Sequence, residues 1–237
     1  MKFLIYQYYR DASVENKKKA RSNLYLDVGH PYHMMSKQSI EKYAKKYNID
    51  YKFFDHELPD NLPPFYSIFL PFTEGWCDDY DAVCFIDSDI LATKKAKNLF
   101  EYSAADMLSA MKMQSAARWR GNKNATFFQQ IGGHLNSGVV VFPRAIYADI
   151  IKFTSTLKER DANRTPMENN LGGFDQGMVN TFVSEQGCFH DLEYEFNFHM
   201  GRHEKNLEDR FNISLIHYHR EYKKWMDKDW ENESILK

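Results

Sequence analysis

A short apolar run that stops at two aspartates constrains this chain more than any other stretch. Residues Ala82–Ile86 are too few for a helix and predict a buried β-strand, and Asp87 and Asp89 follow it with one serine between them. Ligands of α/β sheets bind outside the carboxyl ends of the strands, so both carboxylates are expected at a cleft. Residues two apart on a strand share a face, and neighbouring carboxylates repel each other unless a cation neutralises them. The pattern therefore predicts a Mg²⁺ or Mn²⁺ site, with an ordinary turn at the end of a strand as the alternative.

The beginning of the chain predicts the fold class. Lys2–Tyr9 and Asp50–Asp55 are rich in aromatic and aliphatic residues and predict strands, and His33–Tyr47 between them carries a partial helical stripe. Strand, helix and strand at this spacing form a βαβ unit, which pairs its strands in parallel, so we expect an α/β fold. The 237 residues, 43% of them hydrophobic, suit one domain that covers residues 1–237.

Short elements are expected along the rest of the chain. Helices are predicted at Phe65–Leu70, Lys94–Tyr102, Pro143–Leu157 and Met178–Val183. Strands are predicted at Ala105–Met111, Val139–Phe142, Phe189–Leu192 and Ile213–Tyr218. The segment between residues 112 and 133 is irregular, and long loops of this kind often carry function.

Composition argues against two classes of protein. The formal net charge of -2 provides no broad basic face for nucleic acid. No stretch approaches the roughly 20 apolar residues that cross a bilayer, and Gln7 and Arg10 interrupt the apolar start of the chain. The cysteines Cys77, Cys84 and Cys188 lack metal-binding spacing, which favours reduced thiols in a reducing compartment. Because no stretch is apolar and long enough to cross a bilayer, we expect a soluble protein.

Four short motifs follow one another along the chain. They are Asp87-Ser88-Asp89, Asn136-Ser137-Gly138, Asp175-Gln176-Gly177, and His217 with Lys223 six positions later and then Trp225. In this order the chain resembles the nucleotide-sugar glycosyltransferases of the GT-A fold, above all glycosyltransferase family 8, the glycogenin and bacterial galactosyltransferase group. The likeness covers roughly residues 50–225 and rests on short motifs. It implies a Rossmann-like GT-A architecture, with a mixed, mostly parallel central sheet flanked by helices.

The resemblance implies a site that holds a cation and a diphosphate. Asp87 and Asp89, together with His217, match the family's ligands for Mn²⁺, with Mg²⁺ as the alternative. Lys223 matches a lysine that contacts phosphate. His219 competes with His217 as a ligand, because residues two apart on a strand point the same way.

Other motif residues match positions that surround the donor sugar. Asn136 and Ser137 match the sugar pocket, and Gly138 would let the backbone approach a ligand closely. Asp175 and Gln176 match residues near the reacting carbon. Asp175 would be the general base of an inverting enzyme, whereas it or Gln176 would stabilise the oxocarbenium-like centre of a retaining one, which the family favours. Asp175 suits a helix N-cap equally well.

Recognition of the nucleotide is the least regular part of the pattern. Tyr6 and Tyr8 end the first strand, where the family binds base and ribose, although a role in the core is an equal alternative. Ile68 stands where family members often carry a basic residue that helps to hold the donor. Arg118 and Arg120 are the candidates to replace that charge.

Together these residues predict a metal-dependent glycosyltransferase that uses a nucleoside diphosphate sugar, expected to be a UDP-sugar. The acceptor is a glycan, protein or lipid. Because the chain lacks the membrane anchor of typical Golgi transferases, we expect a cytoplasmic enzyme of bacterial or viral origin.

Two other functions remain open. A phosphatase of the haloacid dehalogenase type also carries Asp-x-Asp after a strand, but it favours Thr or Val where Leu91 stands. The alternative outside enzymes is a module that binds sugar nucleotides or glycans without turnover.

Overall fold

The structure is a computed structural model that describes residues 1–10, 32–59, 62–113, 128, 130, 132–163, 174–187, 189–200 and 204–232. Arg118, Arg120 and Cys188 lie outside the described residues. Cys77 and Cys84 are buried free thiols, in agreement with the expectation from the sequence.

Strands form two sheets in the part of the chain that the structure describes. They are β1 (Phe3–Tyr8), β2 (Asp50–Phe54), β3 (Ala82–Ile86), β4 (Ile90–Ala92), β5 (Ser109–Met113), β6 (His134–Pro143), β7 (His190–Asp191), β8 (Phe198–His199) and β9 (Leu215–His217). The central sheet has the order β2-β1-β3-β6-β5-β7, and β6 runs antiparallel to both of its neighbours. The other pairings in this sheet are parallel, which confirms a mixed, mostly parallel sheet. The second sheet has the order β4-β9-β8.

Helices flank these sheets. The α-helices are α1 (Tyr32–Lys46), α2 (Leu70–Thr73), α3 (Tyr147–Thr154), α4 (Leu157–Ala162), α5 (Phe174–Gln186) and α6 (Lys223–Glu231). Short 3₁₀ helices cover Pro64–Phe69, Cys77–Asp79, Leu99–Glu101, Arg144–Ile146, Tyr194–Phe196, Glu204–Asn212 and Arg220–Tyr222. Within the described ranges, no helix has the length and apolarity that a membrane crossing requires.

Strand β3 is buried on both faces of the central sheet. Val83 and Phe85 pack into the cluster that includes side chains of α3 and α5. Cys84 and Ile86 point to the opposite face and pack into the cluster that includes α1. A strand covered on both sides carries apolar residues without alternation, which explains the continuous run in the sequence.

A third apolar cluster joins the second sheet to the end of the chain. It contains Leu91 of β4, Ile216 of β9 and Met226 of α6. This cluster fixes α6 beside the strands that follow the two aspartates.

Two predicted elements begin well after their predicted first residue. Of the helix predicted at Lys94–Tyr102, only Leu99–Glu101 is helical, because the N–H of Lys97 donates to Ser214 Oγ at 3.1 Å instead of to a helical carbonyl. The strand predicted at Ala105–Met111 begins only at Ser109, whose hydroxyl accepts a hydrogen bond from the N–H of Ala104 at 2.9 Å and closes a turn.

Candidate functional site

The two aspartates lie where the chain passes from the central sheet to the second sheet. Asp87-Ser88-Asp89 connects β3 to β4 through a turn. The N–H of Asp87 donates to the carbonyl of Gly138 at 2.8 Å, and the N–H of Tyr218 donates to the carbonyl of Asp89 at 3.0 Å. The carboxylates are therefore adjacent because neighbouring strands hold this turn. The prediction that they share one face of a strand is wrong in its geometry.

Four ionisable groups meet at this turn. Nε2 of His217 lies 3.2 Å from Asp89 Oδ1 and 3.7 Å from Asp87 Oδ2. Nζ of Lys223 lies 3.4 Å from Asp89 Oδ2. The antiparallel pairing of β4 with β9 places His217 opposite Ile90, next to the turn. The structure thus brings together residues that are more than a hundred positions apart in the sequence.

Burial and neighbouring charges shift the pKa values of these groups in different directions. Burial and the charge of Asp89 raise the pKa of Asp87 to about 8. Burial acts on Asp89 as well, but His217 and Lys223 outweigh it and hold the pKa of that carboxyl well below its usual range. Burial lowers the pKa of His217, but the two aspartates outweigh it and raise that pKa above the ordinary value. Without a cation, protons held by Asp87 and His217 therefore offset the negative charge of the site.

A chain of amide side chains runs from the histidine to helix α5. Nδ1 of His217 lies 3.0 Å from Asn197 Oδ1. Asn197 Nδ2 donates to Asn136 Oδ1 at 2.7 Å, and the N–H of Gly138 donates to the same oxygen at 2.9 Å. Asn136 Nδ2 in turn donates to Gln176 Oε1 at 3.2 Å. The second and third motifs of the sequence are therefore in direct contact.

Asp175, at the start of α5, belongs to the same region. Burial raises the pKa of Asp175, and hydrogen bonds from the Ser137 hydroxyl and the backbone N–H of Gln176 oppose that shift. Its charge also contributes to the raised pKa of Asp87, so the two carboxyl groups are within electrostatic reach. The Asp175 carboxylate thus accepts hydrogen bonds in the first turn of α5 and lies within electrostatic reach of Asp87.

Comparison with protein families covers this whole region. The sequence profile described as Glycosyl transferase family 8 matches residues 73–229, more than half of the chain. The match spans the turn with the two aspartates, the amide chain, His217 and Lys223. The chain belongs to glycosyltransferase family 8.

Solved glycosyltransferases share the fold of this family 8 chain. A glycosyltransferase involved in the glycosylation of the major capsid of PBCV-1 matches with a TM-score of 0.59 and 13% identity, over 98% of this chain and 100% of that one. The galactosyltransferase LgtC, in complex with donor and acceptor sugar analogs, matches with a TM-score of 0.50 and 16% identity, over 96% and 93% of the two chains. GlyE of Streptococcus pneumoniae TIGR4, in its apo form, matches with a TM-score of 0.51 and 12% identity, over 99% of this chain and 61% of that one. These likenesses confirm the GT-A fold. A search of curated proteins gave no match.

Membership of family 8 identifies the chain as a glycosyltransferase. It argues against the phosphatase alternative, which shares only the strand followed by Asp-x-Asp.

In this glycosyltransferase, Gly138 makes room for a histidine. A Cβ at Gly138 would lie 2.6 Å from Cε1 and 2.7 Å from Nδ1 of His217, closer than real Cβ contacts. The sequence predicted a strand that begins at Val139, just after Gly138. In the structure, strand β6 extends over His134–Pro143, so Gly138 lies inside it. The group that approaches Gly138 closely in the structure is the ring of His217, so the absence of a side chain at Gly138 seats that ring.

Tyr6 and Tyr8 point away from the site. Their side chains are buried in the core, with exposed fractions of 0% and 6%. The hydroxyl of Tyr6 donates to the carbonyl of Ile68 at 2.5 Å, and Ile68 is itself fully buried. Side chains alternate along β1, so Gln7 is the residue that faces the turn, and its Nε2 donates to the carbonyl of Asp87 at 3.0 Å. Burial of both rings favours the alternative that the sequence left open, a role in the core.

Sequence reasoning missed Asn197 and His199. Strand β8 pairs in parallel with β9, which places His199 opposite His217 with ring centroids 5.1 Å apart. The ring of His199 also lies 4.9 Å from that of His219. A two-residue strand is too short to show periodicity, and the polar residues that alternate with apolar ones over Phe196–Met200 are the only hint in the sequence.

The side chains around the turn fit a divalent cation. Ligand atoms of Asp89, His217 and His219 lie within 4.8 Å of one another, and Asp87 adds a second carboxylate. Oxygen ligands together with an imidazole suit Mn²⁺. His217 is the better candidate of the two histidines, because Asn197 engages Nδ1 and leaves Nε2 directed at both carboxylates.

Proposed function

We propose that this glycosyltransferase moves a sugar from a nucleoside diphosphate sugar, expected to be a UDP-sugar, to a hydroxyl of a glycan, protein or lipid. Asp87, Asp89 and His217 hold a divalent cation, with Mn²⁺ expected and Mg²⁺ as the alternative. The observation that carries the proposal is the contact of His217 Nε2 with both carboxylates, at 3.2 Å and 3.7 Å. When bound, the cation acts as a Lewis acid toward the negative charge of the departing diphosphate.

Lys223 holds the same diphosphate. It lies 3.4 Å from Asp89 and is the first residue of α6, whose first turn has no acidic residue. A positive charge at a helix N-terminus opposes the helix dipole, so its position there suggests a role outside the helix. An ammonium at this place attracts phosphate oxygens and opposes the charge that develops on them.

Asp175 and Gln176 face the sugar in this proposal. Ser137 bonds the carboxylate, and Asn136 bonds the amide oxygen of Gln176, so both groups have fixed orientations. Fixed oxygen atoms stabilise the positive charge of an oxocarbenium-like centre. We propose retention of the anomeric configuration, which the family favours, and proton NMR of the product's anomeric signal decides it. An inverted product would instead make Asp175 the general base.

We also propose that residues 1–237 act as one glycosyltransferase domain. The proposed site draws on residues from β3 to α6, which supports this organisation.

A thermal-shift screen of nucleotide sugars, with and without Mn²⁺, tests the proposed function. A ligand that binds the folded state raises Tm by mass action. We expect a UDP-sugar to raise Tm only when Mn²⁺ is present, and the same donor to be slowly hydrolysed under those conditions. Excess EDTA is the control and should remove both effects.

Other outcomes of the screen contradict the proposal. A Tm increase without donor hydrolysis or transfer to any acceptor would favour a binding module. Release of phosphate from small esters, without any donor sugar, would favour a phosphatase. A Tm that no nucleotide sugar changes would remove the proposed donor class.

A further inference from the structure

The hydrogen bonds around Asn197 have a direction that the backbone fixes. The N–H of Gly138 can only donate, so the side-chain atom of Asn136 that it meets at 2.9 Å is an oxygen. The amide of Asn197 lies 2.7 Å from the same oxygen and therefore presents its Nδ2 donor there. Asn197 is then left with Oδ1 toward Nδ1 of His217, at 3.0 Å. An amide oxygen only accepts, so Nδ1 of His217 carries a proton.

The opposite direction fails at the backbone. If His217 Nδ1 accepted a hydrogen bond, Asn197 would present Nδ2 to it and Oδ1 to Asn136. Asn136 would then turn its own Nδ2 to Asn197 and also to the N–H of Gly138. Nδ2 of Asn136 and the N–H of Gly138, both donors, would then face each other at a buried position, which is costly without water.

We propose that Asn197 is a positioning residue that sets the tautomer of His217. Because Nδ1 keeps its proton, Nε2 is the nitrogen that loses a proton when the charged ring becomes neutral, and its lone pair then points at the space between the ring and the carboxylates of Asp87 and Asp89. That nitrogen is the one that must bind a cation held by the two aspartates. The consequence for the cation rests on the proposed function. The proton on Nδ1 follows from the hydrogen bonds of Asn136 and Asn197. A proton on Nε2 bonds Asp89 Oδ1, 3.2 Å away, while the ring is charged.

Burial makes this arrangement rigid. The exposed fractions of Asn197, His217 and Asn136 are 0%, 3% and 6%. Gly138 closes the other side of the ring, where even a Cβ would collide with Cε1 and Nδ1 of His217. Water therefore has little access to replace the acceptor that Asn197 provides.

The same chain reaches the sugar end of the proposed site. Asn136 accepts from Asn197 through Oδ1 and donates to Gln176 through Nδ2. A change at Asn197 therefore acts on both the histidine and the amide that faces the sugar.

Long-range ¹H–¹⁵N NMR of the histidine rings in the metal-free full chain tests the tautomer directly. Spectra are recorded over a pH series up to the plateau at which His217 is neutral, and the H217Q variant assigns its signals. We expect Nδ1 to stay protonated throughout the series in the wild type, and Nε2 to carry a proton only while the ring is charged and bonded to Asp89. In Asn197→Leu, which lacks the acceptor, we expect signals of the opposite tautomer. Asn197→Asp keeps an acceptor oxygen toward Nδ1, and a proton on its other oxygen preserves the bond to Asn136 Oδ1, so this variant should restore the wild-type pattern.

Asn180→Leu is the matched control for loss of a buried asparagine. Asn180 is fully buried and bonds the backbone of Leu135 and Gln176, and no hydrogen bond joins it to His217 among the described residues. Its replacement should lower stability without changing the tautomer of His217. Calorimetry with Mn²⁺ provides the second readout, and we expect affinity to fall about 10- to 100-fold in Asn197→Leu.

The two readouts separate this inference from the proposed function. A wild-type His217 with its neutral proton on Nε2 would overturn the inference, as would an unchanged tautomer in a folded Asn197→Leu variant. If that variant does not fold, the wild-type and Asn197→Asp spectra still decide. A wild type that shows the expected tautomer but binds no Mn²⁺ would support the inference and contradict the proposed metal site.

Discussion

Asp87 is the residue whose chemistry depends most on what surrounds it. Burial and the charge of Asp89 raise its pKa to about 8, whereas the pKa of Asp89 is lowered because His217 and Lys223 lie closest to that carboxylate. The positive charges of His217 and Lys223 therefore keep Asp89 ionised but do not offset the burial of Asp87. A divalent cation would supply that charge and take the place of the proton on Asp87.

The affinity for Mn²⁺ should rise with pH, from about pH 6 to about pH 8.5. The pKa values of Asp87 and His217 are both raised, so each group holds a proton below its folded pKa and must lose it before it binds the cation. Calorimetry at pH 7, in two buffers with different protonation enthalpies, should show release of at least about one proton per Mn²⁺. An affinity that is the same at both ends of this pH range would contradict the assignment.

Asp89→Asn should abolish turnover, with a loss of more than about 100-fold in kcat/KM, because an amide replaces the carboxylate that contacts both His217 and Lys223. Steady-state rates with Mn²⁺ and the donor found in the screen measure this effect. Asp106→Asn makes the same change of charge at an exposed position and should leave the rate unchanged. A rate of Asp89→Asn near that of the wild type would refute the metal role.

Gly138→Ala should weaken Mn²⁺ binding by about 10- to 100-fold, because the new Cβ displaces the ring of His217. Calorimetry measures the affinity, and thermal unfolding measures stability. Gly187→Ala is the control: it strains a backbone with φ +75° but meets no atom within 4 Å, so it should lower stability without changing the affinity. Equal affinities for the wild type and Gly138→Ala would show that the ring does not need this space.

At the scale of elements, helix α6 is held by a buried ion pair. Arg210 Nε donates to Asp229 Oδ2 at 3.0 Å, and the hydroxyl of Tyr218 donates to the same oxygen at 2.8 Å. Arg210 and Asp229 are both buried. Tyr218 follows β9, so this contact fixes the helix that begins with Lys223 beside the strand that ends with His217.

Asp229→Leu should lower the free energy of unfolding by about 3–5 kcal/mol, because it removes the buried carboxylate that pairs with Arg210, whereas Glu208, 4.0 Å from Arg210, is exposed. Urea unfolding measures the change. Asp227→Leu, at a partly exposed position of the same helix, should cost less than about 1 kcal/mol. The double variant Arg210→Met/Asp229→Leu should be more stable than Asp229→Leu, since no unpaired charge remains. A double variant that is less stable than Asp229→Leu would contradict a specific ion pair.

The sequence predicts elements well where local pattern determines them. The apolar run of β3 and the helical stripe of α1 are found within a residue or two of their observed bounds. Strands β4 and β8, with three and two residues, are too short to show a period, and they form only because β9 pairs with both. Helix α6 is rich in charge and depends on a tertiary contact at Asp229, which no local pattern contains.

At the scale of the whole molecule, the proposed site lies where two sheets meet. The chain leaves the central sheet at Asp87 and enters the second sheet after Asp89, and β9 and α6 bring His217 and Lys223 back to that point. Motif order in the sequence predicted that these residues form one site. Asn197 could not be identified in this way, because its role depends on which atoms of other side chains it meets in the folded protein.

Crystals of the protein grown with Mn²⁺ and UDP provide the most direct test of the central claim, that paired carboxylates and an imidazole hold a cation that binds a diphosphate. Diffraction data collected at the manganese absorption edge locate the ion by its anomalous signal. We predict one strong peak bonded to Asp87, Asp89 and Nε2 of His217, with phosphate oxygens of UDP completing its coordination. A map with no anomalous peak beside these three residues, or with UDP bound elsewhere, would contradict the account.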